Sequence, residues 1–293
     1  MSQVALTARA STTRPRRRSR SGATWGSPTT YVIATVLIAV CVAPVLYIII
    51  GGFRTNAQIT VNPSGWPDPW VLKNYADVLA SPLFWQQFGN SVISAAATTI
   101  GTVALALMAS FVIARYDFAG RNALYSLFAA GLMFPLTVAI TPLYLLIKNL
   151  GLTDNLLGII LPQIAFALPT TVIILVPFLA AIPKELEEAA AIDGASKIGF
   201  FFRMVLPLSL PGVITTGILA FVNAWNSYML PLFILNNAAM YTLPLGVQSF
   251  SSEHSVDTAA VLAFTSLSMI PALLFFSIFE RRIVGGLTGA VKG

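Results

Sequence analysis

The side chains that could carry acid–base, nucleophilic or metal chemistry are few in this 293-residue chain. Its only histidine, His254, stands beside Glu253 and three residues before Asp257. A hydrolase triad needs a histidine as its general base, and a zinc site usually has more than one histidine or cysteine ligand. One histidine between two carboxylates, in a stretch rich in Asn, Ser and Thr, is more typical of a solvated loop. We therefore predict no metal site there.

A second group of carboxylates lies in a polar segment between two long apolar runs, at Glu185, Glu187, Glu188 and Asp193. Paired carboxylates can act as general acid and base, but nothing in this segment implies a substrate cavity. The sequence has no G-x-x-x-x-G-K-[ST] phosphate loop, and its last nine residues, GGLTGAVKG, do not fit that pattern. We expect that the chain is not an enzyme on its own and binds no cofactor itself.

The polar segment favours a short helix, a turn and a second short helix. Pro183 suits the first turn of a helix, and the glutamates after it lie near the positive end of the helix dipole. Ala189–Ala191 are strong helix formers with small side chains, and Gly194 tolerates the backbone conformation of a turn. The Glu and Ala face would fit a groove on a partner protein, although Glu188 by itself could equally be a solvated carboxylate.

The rest of the chain is apolar enough to lie in a bilayer. It is 56% hydrophobic and 10% charged, whereas soluble domains have about 25% charged residues. A helix needs about 20 apolar residues to cross a membrane, and six stretches without Asp, Glu, Lys, Arg or His meet that length: Tyr31–Phe53, Phe88–Ala114, Asn122–Ile147, Asn155–Ile182, Met204–Leu235 and Thr258–Phe279. We predict an all-α polytopic membrane protein with six transmembrane helices.

The basic residues indicate the orientation of these spans. With the N-terminus inside, fourteen Lys and Arg flank the spans on the cytoplasmic side and three lie outside. Positive charge stays in the cytoplasm, so both termini and the 183–203 loop are predicted to be cytoplasmic. The net charge of +6 then reflects topology and anionic lipid. Scattered basic residues give no pattern typical of nucleic-acid binding.

The predicted organisation is a tail followed by one membrane domain. Residues 1–30 contain six arginines and are expected to be a disordered cytoplasmic tail. Residues 31–293 form the transmembrane domain. Its larger connections are a cytoplasmic loop at 183–211 and a cytoplasmic tail at 280–293, with external segments at 54–87 and 236–257.

The lack of charged residues in the spans also indicates which energy source could drive transport. Carriers driven by protons or ions usually keep an ionisable residue inside the membrane. This chain places none there, which disfavours an ion-coupled carrier. An external ATPase docked on residues 183–211 is the natural alternative.

If the solute is a sugar, as the family resemblance given below implies, four polar or aromatic residues of the fifth span could contact it: Asn223, Trp225, Asn226 and Tyr228. Sugars need amides, hydroxyls and aromatic faces, but polar residues in spans also hold helices together. At this spacing the four side chains cannot all share one helix face. Both interpretations stay open.

The polar segment carries a family resemblance. Glu188-Ala189-Ala190, Gly194 and Leu206-Pro207 have the spacing E-A-A-x3-G-x9-I-x-L-P, with Met204 in place of Ile. This resembles the coupling loop of ABC-importer permeases. Further landmarks make the chain similar to the smaller permease subunit of maltose-type sugar importers: Asn74-Tyr75, Asn90-Ser91, the run from Ala114 to Arg121, Ala224-Trp225-Asn226 and the tail Gly286–Gly293, which is one residue shorter before GAVKG than the family usually has.

The resemblance implies partners and roles. It implies a second permease subunit of the same fold, a homodimeric sugar-type ATPase that binds ATP and Mg, an extracellular solute-binding protein and a bacterial cytoplasmic membrane. It implies that the external 236–257 loop probes the binding protein, that the 280–293 tail reaches the ATPase, and that the partner permease makes most substrate contacts. The expected ATPase-coupling residues are Glu188, Ala189, Ala190, Asp193, Gly194, Ala195, Leu206 and Pro207.

Two other functions remain open at this point. The chain could belong to an importer of another solute, such as glycerol phosphate or an osmolyte. It could also be a membrane scaffold that recruits an ATPase without transporting anything, although a scaffold has no need of polar residues such as Asn226 in kinked helices.

Overall fold

The computed structural model describes residues 27–250 and 256–290, with side chains as far as residue 279. The predicted tail up to residue 26, the pair Glu253 and His254, and the end of the C-terminal tail lie outside the described residues. The chain divides into two compact units, residues 1–44 and residues 45–293.

The described part of the first unit is helical. It forms most of α1 (Pro28–Gly51), a charge-free helix of 24 residues with Pro44 inside it. The helix includes the last three residues of the predicted disordered tail, 28–30. A proline at the first helical position explains this start, because its fixed φ suits a helix and its missing N–H is not needed there.

The second unit contains twelve further α-helices among the described residues. In chain order they are α2 (Asn56–Val61), α3 (Lys73–Ala80), α4 (Pro82–Arg115), α5 (Arg121–Gly131), α6 (Leu136–Asn149), α7 (Leu156–Ala180), α8 (Lys184–Ile192), α9 (Lys197–Phe200), α10 (Leu206–Trp225), α11 (Met229–Ile234), α12 (Leu243–Gly246) and α13 (Thr258–Ala290). Short 3₁₀ turns at Ala238–Met240 and Val247–Phe250 flank α12, and a π-helical stretch, Phe201–Val205, joins α9 to α10.

Helix α4 is the centre of the packing. It contacts α7 most extensively and then α10, which in turn packs on α13. Its buried face carries small and hydroxyl residues every three or four positions, at Ala95, Thr98, Thr102, Ala106 and Ser110. Small residues let helix backbones approach closely in a membrane. The sequence of α4 therefore explains its central place.

The structure agrees with the predicted number of six spans when one strongly bent pair of helices is counted as a single span. Among the residues that the structure describes, five helical stretches are long and apolar enough to cross a bilayer: Pro28–Gly51, Pro82–Arg115, Leu156–Ala180, Lys197–Trp225 and Thr258–Phe279. The sixth is the pair α5 and α6, which bends by 99°. The predicted stretch Asn122–Ile147 is therefore not one straight helix. Pro135 explains the break, because it donates no hydrogen bond and favours extended backbone at Phe134.

The fifth predicted span, Met204–Leu235, is also interrupted. Helix α10 ends at Trp225, and α11 begins only at Met229. Non-helical backbone within a membrane protein is tolerated where it is buried in protein or lines a cavity. The interruption therefore directs attention to the space beside it.

Candidate functional site

The segment that resembles a coupling loop is anchored at the end of the bundle where α4 terminates. The side chain of Arg115, the last residue of α4, is 2% exposed. Its Nε and Nη2 donate to Oε2 of Glu187 at 3.1 and 2.8 Å, and its Nη1 donates to the carbonyl oxygen of Ile182 at 2.5 Å. One buried guanidinium thus holds both the start of α8 and the residue before Pro183.

The turn after α8 follows from one glycine. Gly194 has a φ of +76°, in the left-handed region that favours glycine. Its N–H donates to the carbonyl of Ala191 at 3.1 Å, and the N–H of Ala195 donates to the carbonyl of Ala190 at 2.9 Å. These two bonds make a Schellman motif. The prediction that Gly194 forms the turn is confirmed.

The second arm of the segment differs from the prediction. The Ser196 side chain caps α9 by accepting from the N–H of Gly199 at 3.1 Å. The arm does not end as a separate short helix, because it continues through the π-helical stretch into α10. Phe200 and Val205 are buried in the core cluster that contains Ala190. Their burial explains the continuity, since both residues fix the arm against α4 and α7.

The eight predicted coupling residues differ in exposure. Ala190 and Leu206 face the core. The other six are exposed: Glu188, Ala189, Asp193, Gly194, Ala195 and Pro207. Two exposed apolar side chains beside them, Ile192 at 86% and Ile198 at 72%, were not predicted. Their signal in the sequence was an isoleucine within an otherwise polar stretch.

A cavity of about 450 Å³ lies among α4, α6, α7, α10 and α11. Its walls are mostly apolar, and its uncharged polar lining comes from seven residues: Thr98, Gln163, Thr170, Thr171, Asn223, Ser227 and Tyr228. This size is within the range of about 300–1,000 Å³ typical of small-molecule sites. The cavity also lies beside the interruption between α10 and α11.

The four predicted sugar contacts separate into two pairs. Asn223 and Tyr228 line this cavity. Asn226 and Trp225 instead border a second hollow of about 340 Å³ formed with α12 and α13. Trp225 is 4% exposed and stacks on Phe221 with ring centroids 5.8 Å apart. The expectation that the four side chains do not share one helix face is confirmed.

The opposite end of the bundle is held by polar contacts to the segment around α12. Asn90 donates from Nδ2 to the carbonyls of Ala239 and Tyr241 at 2.8 and 3.0 Å. Ser91 Oγ accepts from the N–H of Leu243 at 2.7 Å. These bonds fix the described part of the predicted external loop on α4.

Asp154 fastens the same loop to the turn before α7. Its Oδ1 accepts from the N–H groups of Asn236 and Asn237 at 2.5 and 2.9 Å. These backbone hydrogen bonds hold the pKa of the Asp154 carboxyl below its ordinary value, since they stabilise the ionised form. The charge therefore tightens the loop while it is present.

Comparison with known proteins identifies the family. A sequence model of the binding-protein-dependent transport system inner membrane component family matches residues 103–285. That range includes the whole coupling segment and most of the cavity lining. The chain belongs to this family. It is therefore a multi-pass inner membrane component of a transport system, and its family is one of transport proteins.

The relatives of this family member are permeases. The sulfoquinovosyl glycerol transport system permease protein of Agrobacterium fabrum is 34% identical over 92% of this chain and 95% of its own. The trehalose transport system permease protein of Mycobacterium tuberculosis is 35% identical over 89% and 96%. The trehalose/maltose transport system permease protein of Thermococcus litoralis is 33% identical over 89% and 96%.

A solved structure supports the fold. A chain of a bacterial ABC transporter involved in the import of alginate, an acidic polysaccharide, matches with a TM-score of 0.75 at 20% identity, over 86% of this family member and 94% of that chain. Membership of a binding-protein-dependent system implies a solute-binding protein, a further permease subunit and an ATPase as partners.

Sequence reasoning missed two residues that the structure makes prominent. Arg115 was counted as a cytoplasmic charge and as part of the run from Ala114 to Arg121, but no anchoring role was predicted for it, although its position at the end of a charge-free span was a signal for one. Gln163 was not singled out. Its signal was a lone carboxamide in a long apolar run, between Pro162 and Phe166.

Proposed function

We propose that the chain is a permease subunit of an ATP-driven, binding-protein-dependent sugar importer, in which it forms half of the translocation path. Both termini and the coupling segment lie in the cytoplasm in this proposal, as the distribution of basic residues favours. The trehalose and trehalose/maltose permeases among the relatives support a sugar as the transported solute.

The observation that carries the proposal is the way the coupling segment is presented. Glu188 and Ala189 are exposed in the middle of α8, while the preceding Glu187 is fixed by the buried side chain of Arg115. A rigid backbone with small exposed side chains suits insertion of a helix into a groove. A rigid anchor also passes movement of the groove to α4, the central helix of the bundle.

The partners and cofactors follow from that arrangement. A homodimeric ATPase takes up the coupling segment and binds ATP and Mg, and this chain binds neither and is not an enzyme. The absence of a phosphate loop from the sequence supports this division. The external 236–257 loop and the 280–293 tail are proposed to contact the binding protein and the ATPase respectively.

Uptake by the complete transporter tests the proposal. The chain is reconstituted in proteoliposomes with its partner permease, ATPase and binding protein, and ATP-dependent uptake of radiolabelled trehalose, maltose and diacetylchitobiose is measured. We expect uptake of at least one of these sugars. ATPase binding without any sugar uptake would instead identify a scaffold, and uptake of glycerol phosphate alone would identify another class of importer.

The coupling role is tested by co-purification of the ATPase. Glu188→Lys combined with Gly194→Pro is expected to abolish co-purification, because it reverses the exposed charge and removes the turn. Glu185→Lys is the matched control, since Glu185 is exposed in the same helix but lies outside the motif. Normal ATPase retention by the double variant would disprove the coupling role.

A further inference from the structure

One side chain of the 450 Å³ cavity has a hydrogen-bonding group that the protein leaves unused. Gln163 lies on α7 and lines the cavity. Its Oε1 accepts from Oγ1 of Thr98 at 2.9 Å, with Oγ of Ser94 at 3.5 Å. Its Nε2 is buried and has no partner among the described residues.

A buried amide without a hydrogen-bond partner is unfavourable unless another molecule supplies that partner. Burial removes the amide from water without replacing the hydrogen bonds it made there. Whichever way the carboxamide is turned, one end contacts Thr98 and the other end remains free. The side chain is therefore held in position at the cavity wall with one polar atom unpaired.

The remaining lining indicates the chemistry of an occupant. Phe166 and Tyr228 offer aromatic rings, and Asn223 and Ser227 add uncharged polar groups. The Asn223 Nδ2 is already used by the carbonyl of Leu219 at 2.9 Å, which leaves its Oδ1 as an acceptor. No charged residue lines the described cavity. Such a lining suits a neutral molecule with several hydroxyl groups and an apolar face.

The backbone around the cavity points to a built site. Leu136, the first residue of α6 after the 99° bend, lines it on one side, and Ser227 in the break before α11 lines it on the other. Broken helices are where membrane transporters commonly form substrate sites. The bend before α6, the break before α11 and the unpaired amide of Gln163 thus all border the same cavity.

We propose that this cavity is a subsite for one ring of a neutral sugar, with Gln163 as a residue that determines specificity. The proposal rests on the sugar-importer function above and deepens it. It assigns a substrate contact to this subunit, whereas the resemblance to maltose-type importers places most contacts on the partner permease.

The test measures discrimination between a sugar and its deoxy analogues. The probe is whichever of trehalose, maltose or diacetylchitobiose the wild-type transporter takes up, together with its series of monodeoxy analogues. Gln163→Leu is one atom shorter than Gln and removes the free amide together with the oxygen that Thr98 contacts. We expect the wild type to import one analogue about tenfold more slowly than the parent sugar, the effect of one lost hydrogen bond. In Gln163→Leu the two rates should become equal.

Two comparisons separate this effect from others. The same binding protein serves both transporters, so its own selectivity cancels in the ratio of the two rates. Thr102→Val is the matched control, because Thr102 is a fully buried hydroxyl residue on α4 that also has no partner but does not line the cavity. Its discrimination should equal that of the wild type.

Each remaining outcome decides against the proposal. If Gln163→Leu keeps the wild-type discrimination, the cavity is not a sugar subsite, although sugar import itself stands. If the variant lowers the melting temperature of the complex without changing discrimination, Gln163 is structural only. If wild-type uptake of a uronic acid or sugar phosphate matches that of the neutral sugar, the neutral specificity is wrong. If the wild type imports no sugar, both this inference and the proposed function fail.

Discussion

The coupling segment and the cavity are built in opposite ways. The coupling segment is one continuous stretch whose shape comes from local bonds: a Schellman turn at Gly194 and a capping Ser196. The cavity takes its lining from five helices, from Thr98 on α4 to Leu230 on α11. The first site takes its turn from neighbours in sequence and only its anchor, Arg115, from a distant helix, whereas the whole lining of the second depends on how distant helices pack.

The two sites also use burial differently. The coupling segment buries its anchor, Arg115, and exposes the side chains proposed to meet the ATPase. The cavity does the reverse, because the polar side chains proposed to bind a substrate face its interior, and packing between helices holds them in place. A single local change should therefore alter the coupling segment alone, whereas changes in packing should reach the cavity from a distance.

The largest expected effect comes from removing the buried anchor. Arg115→Met leaves the Glu187 carboxylate and the Ile182 carbonyl without their donor. We expect a loss of about 2–3 kcal/mol in the free energy of unfolding, less than for a fully buried pair because Glu187 is 32% exposed. Equilibrium unfolding in detergent measures it.

Arg121→Met provides the control for this prediction. Arg121 pairs with Asp117, which is 84% exposed, at 2.7 Å within a short connection. Exposed pairs contribute little, so the expected loss is below about 1 kcal/mol. Equal losses in the two variants would mean that Arg115 is not a special anchor.

The next effect tests the dependence on distant packing. In Gly246→Ala the new Cβ would collide with the Gln87 side chain on α4 and lie 2.8 Å from Cζ of Phe264 on α13. Overpacking of this kind costs about 1–3 kcal/mol. We expect lower stability and reduced sugar uptake, measured by equilibrium unfolding and the transport assay.

Gly89→Ala is the matched change in open space. Nothing lies within 4 Å of its added Cβ, and Gly89 is inside α4. A glycine in a helix interior is less favourable than alanine by about 0.5–1 kcal/mol. The sign of the effect should therefore be opposite to that of Gly246→Ala, and two destabilised variants would contradict the packing argument.

A smaller effect is expected at the local turn. Gly194 has open space around a new Cβ, so Gly194→Ala meets only the strain of its φ of +76°. That strain costs about 1–2 kcal/mol, and asparagine tolerates the conformation better. ATPase co-purification should fall in Gly194→Ala and recover partly in Gly194→Asn. The same loss in both variants would mean that the glycine is needed for close contact rather than for the turn.

The difference between the two sites explains what the sequence could predict. Pro183, the alanines and Gly194 act through local backbone chemistry, so their motif was sufficient to predict α8 and its turn. The bend at Pro135 could be suspected, but nothing local decides between a kink and a 99° break. Gln163 was missed because its role depends on Thr98, which is 65 residues away in sequence and adjacent only after α4 and α7 pack.

The smallest expected effect is a pH dependence at the loop that Asp154 fastens. Because folding lowers the pKa of this carboxyl, its contribution to stability is complete above its ordinary value of 3.8 and is lost as the pH falls through the lower value of the folded protein. Asp154→Asn cannot titrate, so the difference in melting temperature between wild type and this variant should shrink from about pH 6 to about pH 3. Arg115 lies at the other end of the bundle. In Arg115→Met, the pH dependence of the melting temperature that Asp154 causes should therefore equal that of the wild type. A constant difference between wild type and Asp154→Asn would show that the carboxylate charge does not hold the loop, and that the packing of α12 against α4 is sufficient to place it.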